Sequence, residues 1–455
     1  MASFEIDYLV IGNCAAGISA AEAIRKNAPE DATIMLISDE PYPAYGRPLI
    51  SYLIEGKTTE DAIWLKGEGF YDDMRIDAHL GPDFKAVSLD ADAHEVRLAG
   101  GDTISYGKCL LATGSVPFVP PIEGLADGSN VFSFMTLDDA KGVWQAVKEI
   151  QSNAEEDGLP SRIVVVGAGL IGLKAAEAVS RFVDEVLVLE LAPRILPAVL
   201  DGEGASVLQE MLADHGIRCL PGISAESFTL RDGKIYEARL TNGDSVECDL
   251  VIAAVGVRPN SELAVSAGAE QGRGLICDER LMTTLQDVYA AGDVVQVTDM
   301  LDGSQRPLAL WPNAVQQGSA VGAFMAGAEG ADPYEGGFAV NAVDFFDASL
   351  LTCGVINPPE DEGFEVKVIA DGNQYAKFVT KGSRLFGYIL LNRPDNAGIY
   401  TSLIENATDL STVSQDIFDN APANAHLEPE HRWSRLHRGY PSNLNRLGWK
   451  EAANA

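Results

Sequence analysis

The sequence predicts an α/β protein: two doubly wound parallel-sheet domains of Rossmann-like type, followed by an α+β domain with an antiparallel sheet. Three observations carry that expectation. An apolar strand, a glycine turn and a helix follow one another twice, as DYLVIGNCAAGISAAEAIR near the N-terminus and as RIVVVGAGLIGLKAAEAVS over residues 162–180. Each copy is followed by a second apolar strand, ATIMLIS (32–38) and EVLVLE (185–190), completing a βαβ unit of the kind that builds parallel sheets. After residue 335 the pattern changes: AVNAVDFFDASLLTCGVI, FEVKVIA, QYAKFVT and RLFGYILL are alternating or apolar runs separated by Gly, Asp, Asn and Pro, as in antiparallel strands.

The remaining segments fit between these landmarks. DDAKGVWQAVKEIQSNAEEDG reads as a helix and a polar link into the second βαβ unit, and AGIYTSLIENATDLS reads as a helix closing the third domain. From about residue 420 no period is sustained, and an extended tail is expected. The 455 residues exceed one core, and 46% apolar with 22% charged residues is a globular balance. No apolar run approaches the roughly 18 residues that span a bilayer. No basic segment precedes the first strand, so no signal peptide is expected. The six cysteines (Cys14, Cys109, Cys219, Cys248, Cys277, Cys353) form no CxxC pair. That spacing argues against a zinc site, a cysteine-ligated cluster and a local redox disulfide, so no metal is expected. Sparse cysteine fits a reducing cytoplasm. The formal charge of −34 repels nucleic acid and anionic membrane.

The second glycine turn, GAGLIG, holds Gly167, Gly169, Leu170, Ile171 and Gly172. Its first glycine allows the tight turn, the second lets backbone approach a pyrophosphate, and the third lets helix pack on strand. The helix N-terminus offers unpaired N–H groups to phosphate. Glu190 closes the next strand, where a carboxylate accepts hydrogen bonds from a ribose diol and repels a 2′-phosphate, favouring NAD(H) over NADP(H). The alternative is a packing turn without a ligand. In the first turn, GNCAAG, Gly12 and Gly17 are in place but Cys14 holds the middle position, followed by Ala15 and Ala16. Cys is only modestly larger than Ala or Ser, so a working phosphate loop is expected. A thiol at a helix N-terminus can have a lowered pKa, yet bound phosphates would cover Cys14 and oppose a thiolate, so it is expected to be inert.

Three further stretches complete an ordered set: YGKCLLATGSVP (106–117), DLVIAAVGVRPN (249–260) and TTLQDVYAAGDV (283–294). With the two turns they resemble the two-dinucleotide-domain flavoprotein disulfide reductase superfamily over residues 5 to about 400. The nearest resemblance is to the branch of rubredoxin and ferredoxin reductases, NADH oxidases and apoptosis-inducing factors. The resemblance implies that the first turn binds FAD and the second NAD(H). Ala112, Thr113 and Gly114, Gly256, and Gly292 then fall at cofactor-binding positions, and Asp293 holds the ribityl and pyrophosphate part of FAD. The alternative for Asp293 is a helix cap. In SDEPYPAYGRPLIS (38–51), Asp39 takes the place of the acid that binds the adenosine ribose, with Ser38 or Glu40 as alternatives. Arg47 takes the place of an FAD-contacting arginine, or forms a surface salt bridge. Trp311, in ALWPNAVQQG, covers the flavin edge or packs in the core. The implied division is 1–120 with 263–334 for FAD, 121–262 for NAD(H), an interface domain at 335–418, and a basic aromatic tail at 419–455.

Two departures from that family's pattern are informative. Its thiol enzymes place cysteine in the region matching AYGRPLISY (44–52), which has none here, so a disulfide reductase, a CoA-disulfide reductase or a cysteine-dependent NADH oxidase or peroxidase is not expected. The flavin-reductase branch places a lysine after R-P-x-x-S and a glutamate after the second turn, paired near the flavin. The matching positions here are Tyr52 and Lys174. Lys174 either brings a cation to the flavin, raising its potential, or is an exposed helix residue. No histidine of the six (79, 94, 215, 426, 431, 437) lies in a motif.

The resemblance implies hydride transfer between nicotinamide C4 and flavin N5, with electrons passing to an external carrier: an iron–sulfur protein or the partner subunit of a larger oxidoreductase complex. The flavin subunits of anaerobic 2-oxoacid or aldehyde oxidoreductases look similar. An NADH oxidase reducing oxygen directly and a redox-sensing scaffold are the alternatives. A homo-oligomer through the third domain is a further expectation. The tail segment HRWSRLHRGYPSNLNRLGWK (431–450) has five Lys or Arg and no acid. With Trp433, Tyr440 and Trp449 it reads as a docking arm, or as a segment folding back on the acidic body.

Overall fold

Each nucleotide-type unit is organised around a parallel sheet whose central strands are apolar on both faces. The computed structural model describes residues 3–394, 396–413, 415–419, 422–427, 429 and 432. The expected tail residues Trp433, Tyr440 and Trp449 lie outside the described residues. The chain divides into two units, residues 1–339 and 340–455.

In the first unit, β1 (Ser3–Ile11) leads through the GNCAAG turn into α1 (Ala15–Asn27) and then β2 (Ile34–Ser38). Leu9, Val10 and Ile34 to Ile37 are buried, as required of strands covered on both sides. β2 carries strand Ile76–Leu80 on its outer side, and β1 pairs in parallel with β3 (Thr103–Leu111). β3 continues to the antiparallel pair Glu95–Leu98 and Ala86–Asp90. A short helix, α2 (Ile50–Ile54), follows the loop after β2. The chain then leaves this sheet. α3 (Leu137–Asp157), fixed at its start by a Thr136–Asp139 capping box, precedes the second βαβ unit.

That unit is β4 (Arg162–Val166), α4 (Leu170–Ser180) and β5 (Glu185–Glu190). They belong to an all-parallel five-stranded sheet with order 217–221, β5, β4, 250–253, 131–132. A three-stranded antiparallel sheet (225–231, 234–240, 245–247) packs over it through Phe228, Ile235 and Leu240. The chain next returns to the first sheet: β6 (Val288–Ala290) pairs in parallel with the end of β3, Val288 opposite Cys109. α5 (Trp311–Met325) then packs along α1. The approach is close because Gly318 carries no Cβ; one built there would lie 2.3 Å from the Ala16 carbonyl oxygen.

The second unit is a five-stranded antiparallel sheet with order 340–345, 348–354, 384–391, 374–381, 365–371. α6 (Ala397–Glu405) packs on it, with Tyr400 tilted against Phe378 and Tyr388.

Candidate active site

The two glycine turns are built alike, and in both the outer glycines are required by the protein itself. Gly12 has φ +122° and a Cβ there would lie 2.1 Å from the Ala112 carbonyl oxygen. A Cβ on Gly17 would lie 1.9 Å from the Gly12 oxygen. The second turn repeats this, with Gly167 (φ +107°) against the Ala254 oxygen at 2.4 Å and Gly172 against the Gly167 oxygen at 2.0 Å. The middle position differs. Gly169 is extended, with nothing within 4 Å of a built Cβ. Cys14 is extended as well, at φ −137° and ψ −162°. Any residue adopts that backbone, and at Gly169 no protein atom limits the size of a side chain.

Both turns open helices whose first N–H groups have no side-chain cap and no acidic residue in the first turn. Elsewhere Thr136 and Asp201 cap helices in the ordinary way. Two uncapped N-termini with open backbone at their middle positions suit the pyrophosphates of dinucleotides. The residues present therefore fit FAD and NAD(H).

Residues of two further motifs lie against the first turn: Ala112 beside Gly12 and Gly292 beside Ala16. The Ala112–Gly114 stretch abuts Gly12, and the Gly292 N–H donates to Gln317 Oε1 at 2.7 Å. Asp293 accepts a hydrogen bond from Ser115 Oγ at 2.9 Å. Burial pushes its carboxyl pKa up, with the Ser115 hydrogen bond and the Arg47 charge opposing. Thr113 Oγ1 donates to the Asn260 carbonyl at 2.7 Å, and the Asn260 N–H donates to the Gly114 carbonyl at 2.9 Å. These bonds tie the two chain crossings between the nucleotide-type units. Gly256, φ +114°, has open space beside it.

Arg47 is half-buried and paired with Glu40, and its Nη1 donates to the Met135 carbonyl at 3.1 Å. Its charge also reaches Cys14 and Asp293. Glu40 is further engaged by the Tyr45 hydroxyl at 2.6 Å. Of the three candidate ribose-binding residues, Glu40 is thus committed within the loop. The Ser38 hydroxyl receives the Glu40 N–H at 3.3 Å, and Asp39 is exposed with Lys85 Nζ at 3.9 Å. Trp311 stands at the first position of α5, partly buried against the core of the first sheet.

In the second turn, Glu190 Oε2 accepts the Ala168 N–H at 2.7 Å and Oε1 accepts the Ala192 N–H at 2.8 Å. The carboxylate is held at the C-terminal end of β5 by these two backbone N–H groups. Lys174 is not an exposed helix residue: its side chain is 12% exposed, pairs with Glu177, and lies 4.8 Å over the Tyr52 ring. Sequence reasoning missed Ser115, Asn260, Gln317, Glu55, Lys57 and Glu177. The first three lie inside or beside quoted motifs. The last three pair locally, Glu55 with Lys57 and Glu177 with Lys174, but the contacts that join these pairs come from different segments.

All six cysteines are free. Burial raises the thiol pKa of Cys14, and pushes Cys219, Cys248 and Cys277 up to about 12.

Paired Rossmann-type units with two uncapped glycine turns and a partly buried aspartate beside the first define a dinucleotide-binding flavoprotein. Residues 6–318 match the family model of pyridine nucleotide-disulphide oxidoreductases, and the chain belongs to that family. It is an NAD(H)-linked oxidoreductase that binds FAD and NAD(H). It is 29% identical over 410 residues to the epsilon subunit of an NADH-dependent phenylglyoxylate dehydrogenase of Aromatoleum evansii, covering 89% of this chain and 93% of that one. It is 34% identical over 328 residues to an NADH oxidase of Methanocaldococcus jannaschii, covering 70% of each. Among solved structures, a ferredoxin reductase of Rhodopseudomonas palustris matches with a TM-score of 0.75 and 27% identity, covering 89% of this chain and 98% of that one. No helix among the described residues is long and apolar enough to cross a membrane.

Proposed function

We propose that this chain moves electrons between NAD(H) and a protein electron carrier, an iron–sulfur protein or the partner subunit of a larger complex, without a thiol relay. The observation that carries this is the cysteine-free segment 44–52 together with six buried or half-buried free thiols whose pKa values burial raises where a shift is resolved. The electron acceptor is therefore external. When bound, FAD takes a hydride from reduced nicotinamide and gives up electrons as a pair or singly. The α1 N-terminus, with Gly12, Cys14, Ala15, Ala16 and Gly17, receives the FAD pyrophosphate, and Asp293, oriented by Ser115, accepts hydrogen bonds from the ribityl chain. Asp39, whose carboxylate is exposed at the end of β2, receives the adenosine ribose. The α4 N-terminus receives the NAD(H) pyrophosphate and Glu190 its ribose diol. The segments serving FAD are 1–120 and 263–334, and the segment serving NAD(H) is 121–262. Residues 335–418 form the interface domain, and the tail beyond is the docking arm.

The relatives named as a dehydrogenase subunit and a ferredoxin reductase support a protein acceptor. The NADH oxidase relative supports direct oxygen reduction as the second reading. Anaerobic NADH should bleach the flavin, with reoxidation slow in air and fast with an added iron–sulfur protein. Fast NADH consumption in air by the isolated chain would select the oxidase reading instead.

A further inference from the structure

α2 and α4, from the two nucleotide-binding units, meet over charges that the hydride path above does not use. Glu55 and Lys57 follow α2, and Lys174 and Glu177 lie on α4. The Glu55 and Glu177 carboxylates are 0% and 1% exposed. Lys57 Nζ is 2.5 Å from Glu55 Oε2 and 3.7 Å from Glu177 Oε1. Lys174 pairs with Glu177 Oε2, and its Nζ lies 4.0 Å from Glu55 Oε1. Each ammonium thus reaches both carboxylates. The Tyr52 ring serves both cations, at 4.8 Å from Lys174 and 5.4 Å from Lys57.

Burying a carboxylate is costly unless opposite charges surround it. Four alternating charges with no net charge satisfy that condition, and two of the contacts, Lys57 to Glu177 and Lys174 to Glu55, run between the helices. A single pair limits one distance, whereas crossed pairs limit an angle as well. The ammonium of Lys57 is held charged: burial works against it, and the Glu55 hydrogen bond and the Glu55 and Glu177 charges outweigh burial and Arg181. At the far end of this arrangement α4 presents its N-terminus to NAD(H). On the other side, α2 follows the Arg47 loop, which borders Cys14 and Asp293.

We propose that Glu55 and Lys57 are positioning residues for hydride transfer: with Lys174 and Glu177 they clasp α4 to α2 and set the NAD(H) cradle at its working angle to the FAD cradle. This rests on the NAD(H) and FAD reading above. Misplacement on the scale of 1 Å costs roughly a hundred-fold in such a reaction.

The test uses the FAD-loaded protein in anaerobic stopped flow with saturating NADH. Glu55→Gln leaves a net charge in the clasp, and Glu55→Gln/Lys57→Met removes both charges and restores neutrality. Both variants should lower the limiting rate of flavin reduction by about ten-fold or more. FAD content and the NAD+ dissociation constant should stay within about two-fold of wild type. The double variant should regain the thermal midpoint lost in the single variant but not the rate, and amide exchange at residues 170–174 should quicken in both. An unchanged rate in Glu55→Gln, or a double variant that recovers rate and stability together, overturns the clasp. Wild-type protein that NADH does not reduce would instead refute the functional reading, and unchanged exchange at 170–174 would then refute the clasp separately.

Discussion

Ser115 Oγ donates a hydrogen bond to Asp293 Oδ2 at 2.9 Å across 178 positions of sequence. The carboxylate it meets is partly buried, and desolvation holds its pKa above the ordinary 3.8, against the pull of Ser115 and Arg47. Asp293 therefore favours the folded apoprotein fully below pH 3.8, and that contribution is lost as pH rises through the raised folded-state pKa. Apo Asp293→Asn should be more stable than apo wild type at pH 7, with the difference vanishing below pH 3.8. Denaturation midpoints against pH check this. The same variant should bind FAD about ten- to a hundred-fold more weakly, since hydrogen bonds to a charged group are worth about 1.5–3 kcal/mol.

The outer glycines and the middle position of the turns should part company. Gly17→Ala should cost about 1–3 kcal/mol or more by overpacking and empty the FAD site. Gly172→Ala should keep FAD but lose reduction by NADH. Cys14→Ser should keep both FAD and turnover. Flavin absorbance and NADH bleaching measure all three, and a Cys14→Ser protein that retains FAD without turnover would restore a chemical role to the thiol.

Glu190→Ala frees the Ala168 and Ala192 N–H groups and removes the ribose acceptor. The KM for NADH should rise about ten- to a hundred-fold, with a smaller change for NADPH, whose 2′-phosphate Glu190 repels. Steady-state KM values for the two nucleotides decide it.

Lys174→Met leaves the clasp with one excess negative charge. As a scale, any unit charge at about 10 Å in an effective dielectric of 20 is worth about 1.7 kcal/mol, or roughly 35 mV for a two-electron couple. The flavin potential should fall by that order. An unchanged potential places Lys174 outside the flavin's field.

The parallel-sheet units were legible because strand, turn and helix are contiguous: Gly12 to Gly17 and Gly167 to Gly172 declare their geometry within six residues. The position of Asp293 was legible only through an ordered set of motifs, since nothing local joins AAGD to Ser115. The surroundings of Lys174 were hidden. Its helix spacing fits an exposed face as well as a buried one, and its neighbours Tyr52 on α2 and Glu55 just after it are far away in sequence. The register that aligned Tyr52 with Lys174 found the two residues but not the acids that neutralise the cation.

The insertion of β6 beside β3 has a consequence for how the protein is made. Cys109, Leu110 and Leu111 at the end of β3 are buried apolar residues whose neighbour, Val288–Ala290, is encoded after the whole second nucleotide unit. At translation rates of about 5–20 residues per second, the ribosome takes roughly 10–35 s between Ser115 and Asp293. Throughout that interval the first sheet presents an unpaired apolar edge, which is aggregation-prone. On the proposed role of Asp293, which follows β6, FAD capture waits for that segment, so flavin loading reports that the nascent chain has already completed the second nucleotide unit.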